Sequence, residues 1–182
     1  LAVGVAAAAR AAASQRQDHT DELVVTGPSS WQVPTRATSA VVRQVIDGAT
    51  SSLLLLTYAS YPVPWLIEAL SAADARGVHV RILLETAPQL RAADAFADLA
   101  GKVTLLEWAL DHRPIVGGRP ASMHAKAVIA DRTVAFITSA NLTGSAMDHN
   151  IEVGVLITGG PLPEKLHRHF DQLEADGAIA VR

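Results

Sequence analysis

The segment Met123–Asn141, M-H-A-K-A-V-I-A-D-R-T-V-A-F-I-T-S-A-N, gathers the residue types that can act on a phosphate ester. His124 and Lys126 stand two apart, Asp131 follows five after the lysine, and Ser139 and Asn141 are again two apart beyond an apolar run. Residues two apart on a strand share a face, so His124 and Lys126 are expected to project together, as are Ser139 and Asn141. An imidazole can serve as nucleophile or proton donor near neutral pH. A lysine and two neutral hydrogen-bonding groups can hold phosphoryl oxygens as charge redistributes in the transition state. That chemistry needs no metal and no cofactor.

Each residue has a plainer reading to set beside this one. Lys126 sits in A-K-A-V-I-A, where burying an unpaired ammonium would be costly, and phosphate binding explains it. Asp131 also suits a hairpin turn. Ser139 and Asn141 could form a helix N-cap, but their phase with the histidine pair favours phosphate contacts. Glu152 lies in the apolar run I-E-V-G-V, where a carboxylate needs a partner. His112, His149 and His124 lack the tight spacing of a metal triad. His167 and His169, in E-K-L-H-R-H-F, are expected on an exposed helix face. Tyr58 and Ser60 end an apolar run and can line a pocket, whereas Trp65 and Trp108 are expected in the core or an interface.

The pattern of His124, Lys126, Asp131, Ser139 and Asn141, with Glu152 downstream, resembles the phospholipase D superfamily, whose signature is H-x-K followed by aspartate. One position departs: the family usually has glycine before the serine, and this chain has Thr138, whose side chain is expected to crowd the phosphate or shift the backbone. The resemblance implies His124 as the catalytic histidine, Lys126, Ser139 and Asn141 as phosphate ligands, and Asp131 in support. It also implies that Glu152 hydrogen-bonds His124. Two histidines act in this superfamily and the chain has one H-x-K, so the resemblance implies a symmetric dimer with both motifs at the two-fold axis.

Positioning these residues falls to alternating strands and helices. After an alanine-rich start, read as the end of a helix over residues 1–19 whose earlier part is missing, strands are expected at 22–26, 52–58, 78–85, 102–107, 125–131, 134–138, 151–158 and 178–181. Helices are expected at 35–49, 64–76, 87–101 and 162–175, several ending at glycine. The 110–122 loop should border the site. The order argues an α/β/α sandwich with a mixed central sheet, one domain over residues 20–182, which is also what the resemblance implies.

Composition bounds the function. The chain of 182 residues is 49% hydrophobic, yet its longest purely apolar run, Leu53–Leu56, is far too short to span a bilayer, so no membrane partner is expected. With a net charge of −3 there is no global basic field, and positive charge must be focused around Lys126, helped by Arg113 and Arg119. No cysteine is present, which removes disulfides and thiolate metal sites and agrees with a cytoplasmic location. Single-motif members of the superfamily are mostly nucleases, so the resemblance implies metal-independent cleavage of DNA or RNA. V-V-T-G-P and the strand from Arg76 to Leu84 further resemble the phospholipase-D-like component of the DISARM anti-phage system, which implies helicase and methyltransferase partners. Two other readings stand beside this: a noncatalytic nucleic-acid-binding or scaffolding subunit, and a lipid phosphodiesterase with Tyr61–Trp65 as its membrane-facing loop.

Overall fold

The computed structural model describes residues 19–28, 32, 35–86 and 92–182. The helix expected at the start of the chain lies outside the described residues, His19 excepted. Strand β1 (Thr20–Thr26), helix α1 (Thr38–Gly48), β2 (Ser52–Thr57), α2 (Pro64–Ala75), β3 (His79–Leu84) and β4 (Thr104–Trp108) follow in order. A small hairpin, β5 (Ile115–Val116) and β6 (Arg119–Pro120), precedes β7 (Ala127–Ala130) and β8 (Val134–Thr138). Then come α3 (Gly144–Asp148), β9 (Glu152–Thr158), α4 (Leu162–Ala175) and β10 (Ile179–Val181).

Eight strands form one mixed sheet in the order β1-β9-β8-β7-β2-β3-β4-β10. β2, β3 and β4 run parallel, and every other pairing is antiparallel. The central strand β2 explains the run Leu53–Leu56. Alternate side chains point to opposite faces, so Leu53 and Leu55 join one core cluster and Leu54 and Leu56 the other. All four are at most 2% exposed, as a strand covered on both faces requires.

The two covering layers differ. One face carries α1, α2 and the buried residues Ala92, Ala95, Phe96 and Leu99 of a 3-10 helix, packed on Val80, Ile82, Val128 and Phe136. The other face carries α4, whose Leu166, Phe170 and Leu173 pack against Leu54, Leu83, Ile129 and Ile179. The sandwich is thus the expected one, with differences in detail. Ala92–Leu99 is a 3-10 helix rather than an α-helix, and residues 87–91 of that expected element lie outside the described residues. The 110–122 loop contains a hairpin, whose turn glycines Gly117 and Gly118 both have positive φ, as a two-residue type I′ connection demands.

His167 is a clear correction. It is 1% exposed, not on an open helix face. Arg81 of β3 points toward α4, and a half-buried guanidinium needs acidic partners; Asp171 accepts from it at 2.8 Å and Glu174 accepts as well. His167 is packed beneath this pair, 3.2 Å from the guanidinium and 3.0 Å from Asp171.

Candidate active site

Because β7 runs antiparallel to both β2 and β8, and β9 antiparallel to β8, four strand ends meet at one edge of the sheet. These are the C-terminal ends of β2 and β8 and the N-terminal ends of β7 and β9. Tyr58, Lys126, Ser139 and Glu152 sit at those ends. His124 and Lys126 precede β7 rather than lying on it, since ladder pairing with β2 stops at Leu56 opposite Ala127. The chain then passes the Tyr58 ring, whose centroid lies 4.4 Å from that of the His124 imidazole.

The half-buried Lys126 turns its ammonium back onto the histidine. Nζ lies 2.9 Å from His124 Nδ1 and 2.9 Å from the His124 carbonyl oxygen. An ammonium can only donate, so Nδ1 accepts and the ring proton sits on Nε2. Nζ also stands 5.7 Å from the centre of the Tyr58 ring, within cation–π reach. Burial holds the ammonium below the usual lysine range, partly opposed by the charge of Glu152.

Glu152 does not meet His124 within the chain. Its carboxylate accepts from the Ser139 hydroxyl and from Asn150 Nδ2 at 3.4 Å. Ser139 Oγ in turn accepts from the Val153 amide at 3.1 Å, and the Ser139 amide donates to the Val153 carbonyl, extending the β8–β9 ladder by one residue. Asn141 Oδ1 accepts from the Ala59 amide at 3.2 Å, which turns Nδ2 into the available donor. Since Ala59 follows Tyr58, this bond ties Asn141 to the residue against which His124 packs. Thr138 is accommodated at the end of β8 without a left-handed backbone: its hydroxyl accepts from the Ala140 amide at 3.1 Å and faces the Val153 carbonyl.

Asp131 is not brought to this cluster. Lys126 and Asp131 flank opposite ends of β7, five residues or roughly 16 Å apart along a strand. Asp131 is in the β7–β8 turn with φ 51°. Its carboxylate accepts from the amides of Thr50, Ser51 and Ser52 and from the hydroxyls of Thr50 and Ser51, all at 2.8–2.9 Å. Burial works against its charge, but those donors hold it far below the usual carboxylate range. Arg113 is also withheld: it is buried, and its guanidinium donates to Glu85 at 2.7 Å. Glu85, which the sequence reading passed over, accepts from the Met123 amide at 2.7 Å, directly before His124. Burial pushes its carboxyl up, and the Arg113 guanidinium and the Met123 amide more than offset this, leaving it below its usual value. The sequence signal was a carboxylate ending an apolar strand. Arg119 is exposed on the hairpin. Among the described residues no three acidic or histidine side chains are placed to hold a metal ion, and His112 pairs with Asp111.

Residues 42–174 match the family described as cardiolipin synthase, phospholipase-D-like domain. The chain belongs to the phospholipase-D-like family. Its relatives include the DISARM protein DrmC of Bacillus paralicheniformis, 33% identical over 147 residues. That match covers 80% of this chain but only 60% of the relative's length. Among solved structures, the phospholipase D family member Nuc of Salmonella typhimurium superposes with a TM-score of 0.64 at 23% identity, covering 90% of this chain and 98% of that one. NucT of Helicobacter pylori gives 0.68 at 16% identity, covering 86% and 96%. Both share the fold.

In this phospholipase-D-like chain the edge supplies one imidazole with its proton on Nε2, one cation and one amide donor. Directly beside it lies an uncovered sheet face. Leu23 of β1, Ile137 of β8 and Val153 and Val155 of β9 are 38–52% exposed there, next to Leu162 at the start of α4. Ile137 and Val155 are paired across the ladder, and Val153 follows Glu152, so the apolar face is continuous with the site.

Proposed function

We propose that the chain is a metal-independent phosphodiesterase that cleaves nucleic acid through a phosphohistidine, at a site completed by a second copy of itself. The observation that carries this reading is the convergence of His124, Lys126, Ser139, Asn141 and Glu152 on one sheet edge beside an uncovered apolar face. The apolar face suits a second copy, because an isologous dimer built on it sets two such edges side by side.

On this reading the substrate phosphate displaces Lys126 from Nδ1, and Lys126 and Asn141 Nδ2 hold the phosphoryl oxygens. Nδ1 then carries the ring proton, which frees the Nε2 lone pair; donating that proton to Glu152 requires the carboxylate to turn from Ser139 to the imidazole. Nε2 bonds to phosphorus as the bond to the leaving oxygen breaks, and that oxygen takes the Nε2 proton of the imidazolium of His124 of the partner subunit, which becomes the neutral imidazole. In the second step water attacks phosphorus and gives its proton to the same partner imidazole, while the nitrogen–phosphorus bond breaks and restores His124. The sum is one phosphodiester and one water converted to a phosphomonoester and an alcohol. Asp131 supports the site only by fixing the register of β7. The likeness to a DISARM protein favours a cytoplasmic role in anti-phage defence beside helicase and methyltransferase partners. The competing lipid reading draws on the family description and on the exposed Tyr61.

Cleavage of single- and double-stranded DNA and RNA in excess EDTA, with wild type beside His124→Ala, tests the proposal. The expected result is wild-type cleavage and a loss of at least about a thousandfold in the variant. Equal cleavage by both would sink it. Absence of cleavage by either protein would also reject it, leaving the binding-subunit and lipid readings.

A further inference from the structure

His124 borders a second feature that the catalytic cluster does not use. A cavity of about 410 Å³ lies on the α4 side of the sheet, with His124 in its lining. That volume falls within the roughly 300–1,000 Å³ of small-ligand sites. Trp108, Met123, Phe170 and Leu173 make its apolar walls, and the exposed His112 adds a polar group. These walls come from the end of β4, from α4 and from the segment that Glu85 and Arg113 clamp, so the cavity is held open by fixed elements. Among the described residues, no lysine or arginine is in the cavity's lining.

We propose that this cavity is a base-binding subsite that takes one unstacked nucleobase adjacent to the scissile phosphate, and that single-stranded polynucleotide is therefore the preferred substrate. The proposal rests on the nuclease reading above and adds to it where the neighbouring nucleoside goes. A phosphate at His124 has two ester substituents, and one of them can run into the cavity that His124 itself lines. Two aromatic walls suit the flat face of a base, and His112 can meet its polar edge. A base can enter only after leaving its stack, which a duplex resists and a single strand does not. An acyl chain would use the apolar walls but offers nothing to the imidazole of His112.

The test uses the whole chain and oligodeoxynucleotides in which methylphosphonates replace every linkage but one, leaving a single cleavable phosphodiester. Removing the base on one side of that bond should lower kcat/KM on the order of tenfold or more, and removing it on the other side should not. Annealing a complement should also slow cleavage. Leu173→Trp, which fills the cavity, should cleave base-bearing and abasic strands at the same reduced rate; the abasic comparison on wild type decides even if this variant does not fold. Abasic strands cleaved within twofold of the control on both sides would overturn the proposal while leaving the nuclease reading intact. Turnover of phosphatidylglycerol vesicles that Leu173→Trp abolishes, with no abasic effect, would assign the cavity to a lipid chain. Failure of wild type to cleave any oligonucleotide would remove both proposals together.

Discussion

Lys126 and Asp131 bracket the four residues of β7, and the fold uses their charges in different ways. Lys126 donates onto the imidazole of His124. Asp131 is committed to the backbone, accepting three amides and two hydroxyls from Thr50–Ser52. Asp131→Ala is expected to destabilise the chain by about 2–4 kcal/mol, measured by urea unfolding at pH 7, because it strands donors that faced a charge. The pH dependence has a definite sign. The folded carboxyl titrates below its ordinary 3.8, so its contribution is complete above that pH and is lost as the pH falls through the folded value. The gap between wild type and variant should therefore close in strong acid. A gap unchanged at low pH would deny the carboxylate clamp.

At the scale of elements, the edge exists because β9 can press tightly on β8. Gly154 pairs with Thr138, and a Cβ there would come within 2.6 Å of the Phe136 ring and 2.8 Å of the Ile137 carbonyl oxygen. Gly154→Ala should cost about 1–3 kcal/mol, visible as a lower unfolding midpoint with the fold retained. It should also weaken activity by displacing Glu152 and Ser139; a variant as stable as wild type would show that the β8–β9 approach is not constrained here. The eight strands of the main sheet and the four longer helical regions were legible from their apolar patterning, because buried elements print their period on the sequence, whereas the short β5–β6 hairpin was not. The 3-10 form of Ala92–Leu99 was not, since the same alanine-rich pattern serves either helix. Nor was the burial of His167, which depends on Arg81 arriving from a strand 86 residues away.

For the whole molecule the asymmetry of the two layers matters most. One face of the sheet is filled by α1, α2 and the 3-10 helix, while α4 covers only part of the other. Leu23, Ile137, Val153 and Val155 are left uncovered next to the edge that carries Ser139 and Glu152. If a second copy covers them, Val155→Glu should shift sedimentation from dimer to monomer while leaving the circular dichroism unchanged. Nuclease activity should then fall by roughly a hundredfold or more, the contribution of the partner's proton donor. A monomeric wild type with full activity would refute the shared site.

The sequence by itself determined the phospholipase-D-like family and the sandwich, because the spacing of His124, Lys126, Ser139, Asn141 and Glu152 and the period of the apolar runs are local properties of the chain. Only the tertiary structure decided which of those groups touch. Strand register carried Asp131 to the far end of β7, turned Glu152 to Ser139 and left Nδ1 of His124 to Lys126. It also paired Arg113 with Glu85 and opened the cavity beside His124. Those pairings join residues distant in sequence, and their partners are fixed by how strands align, which no single segment encodes.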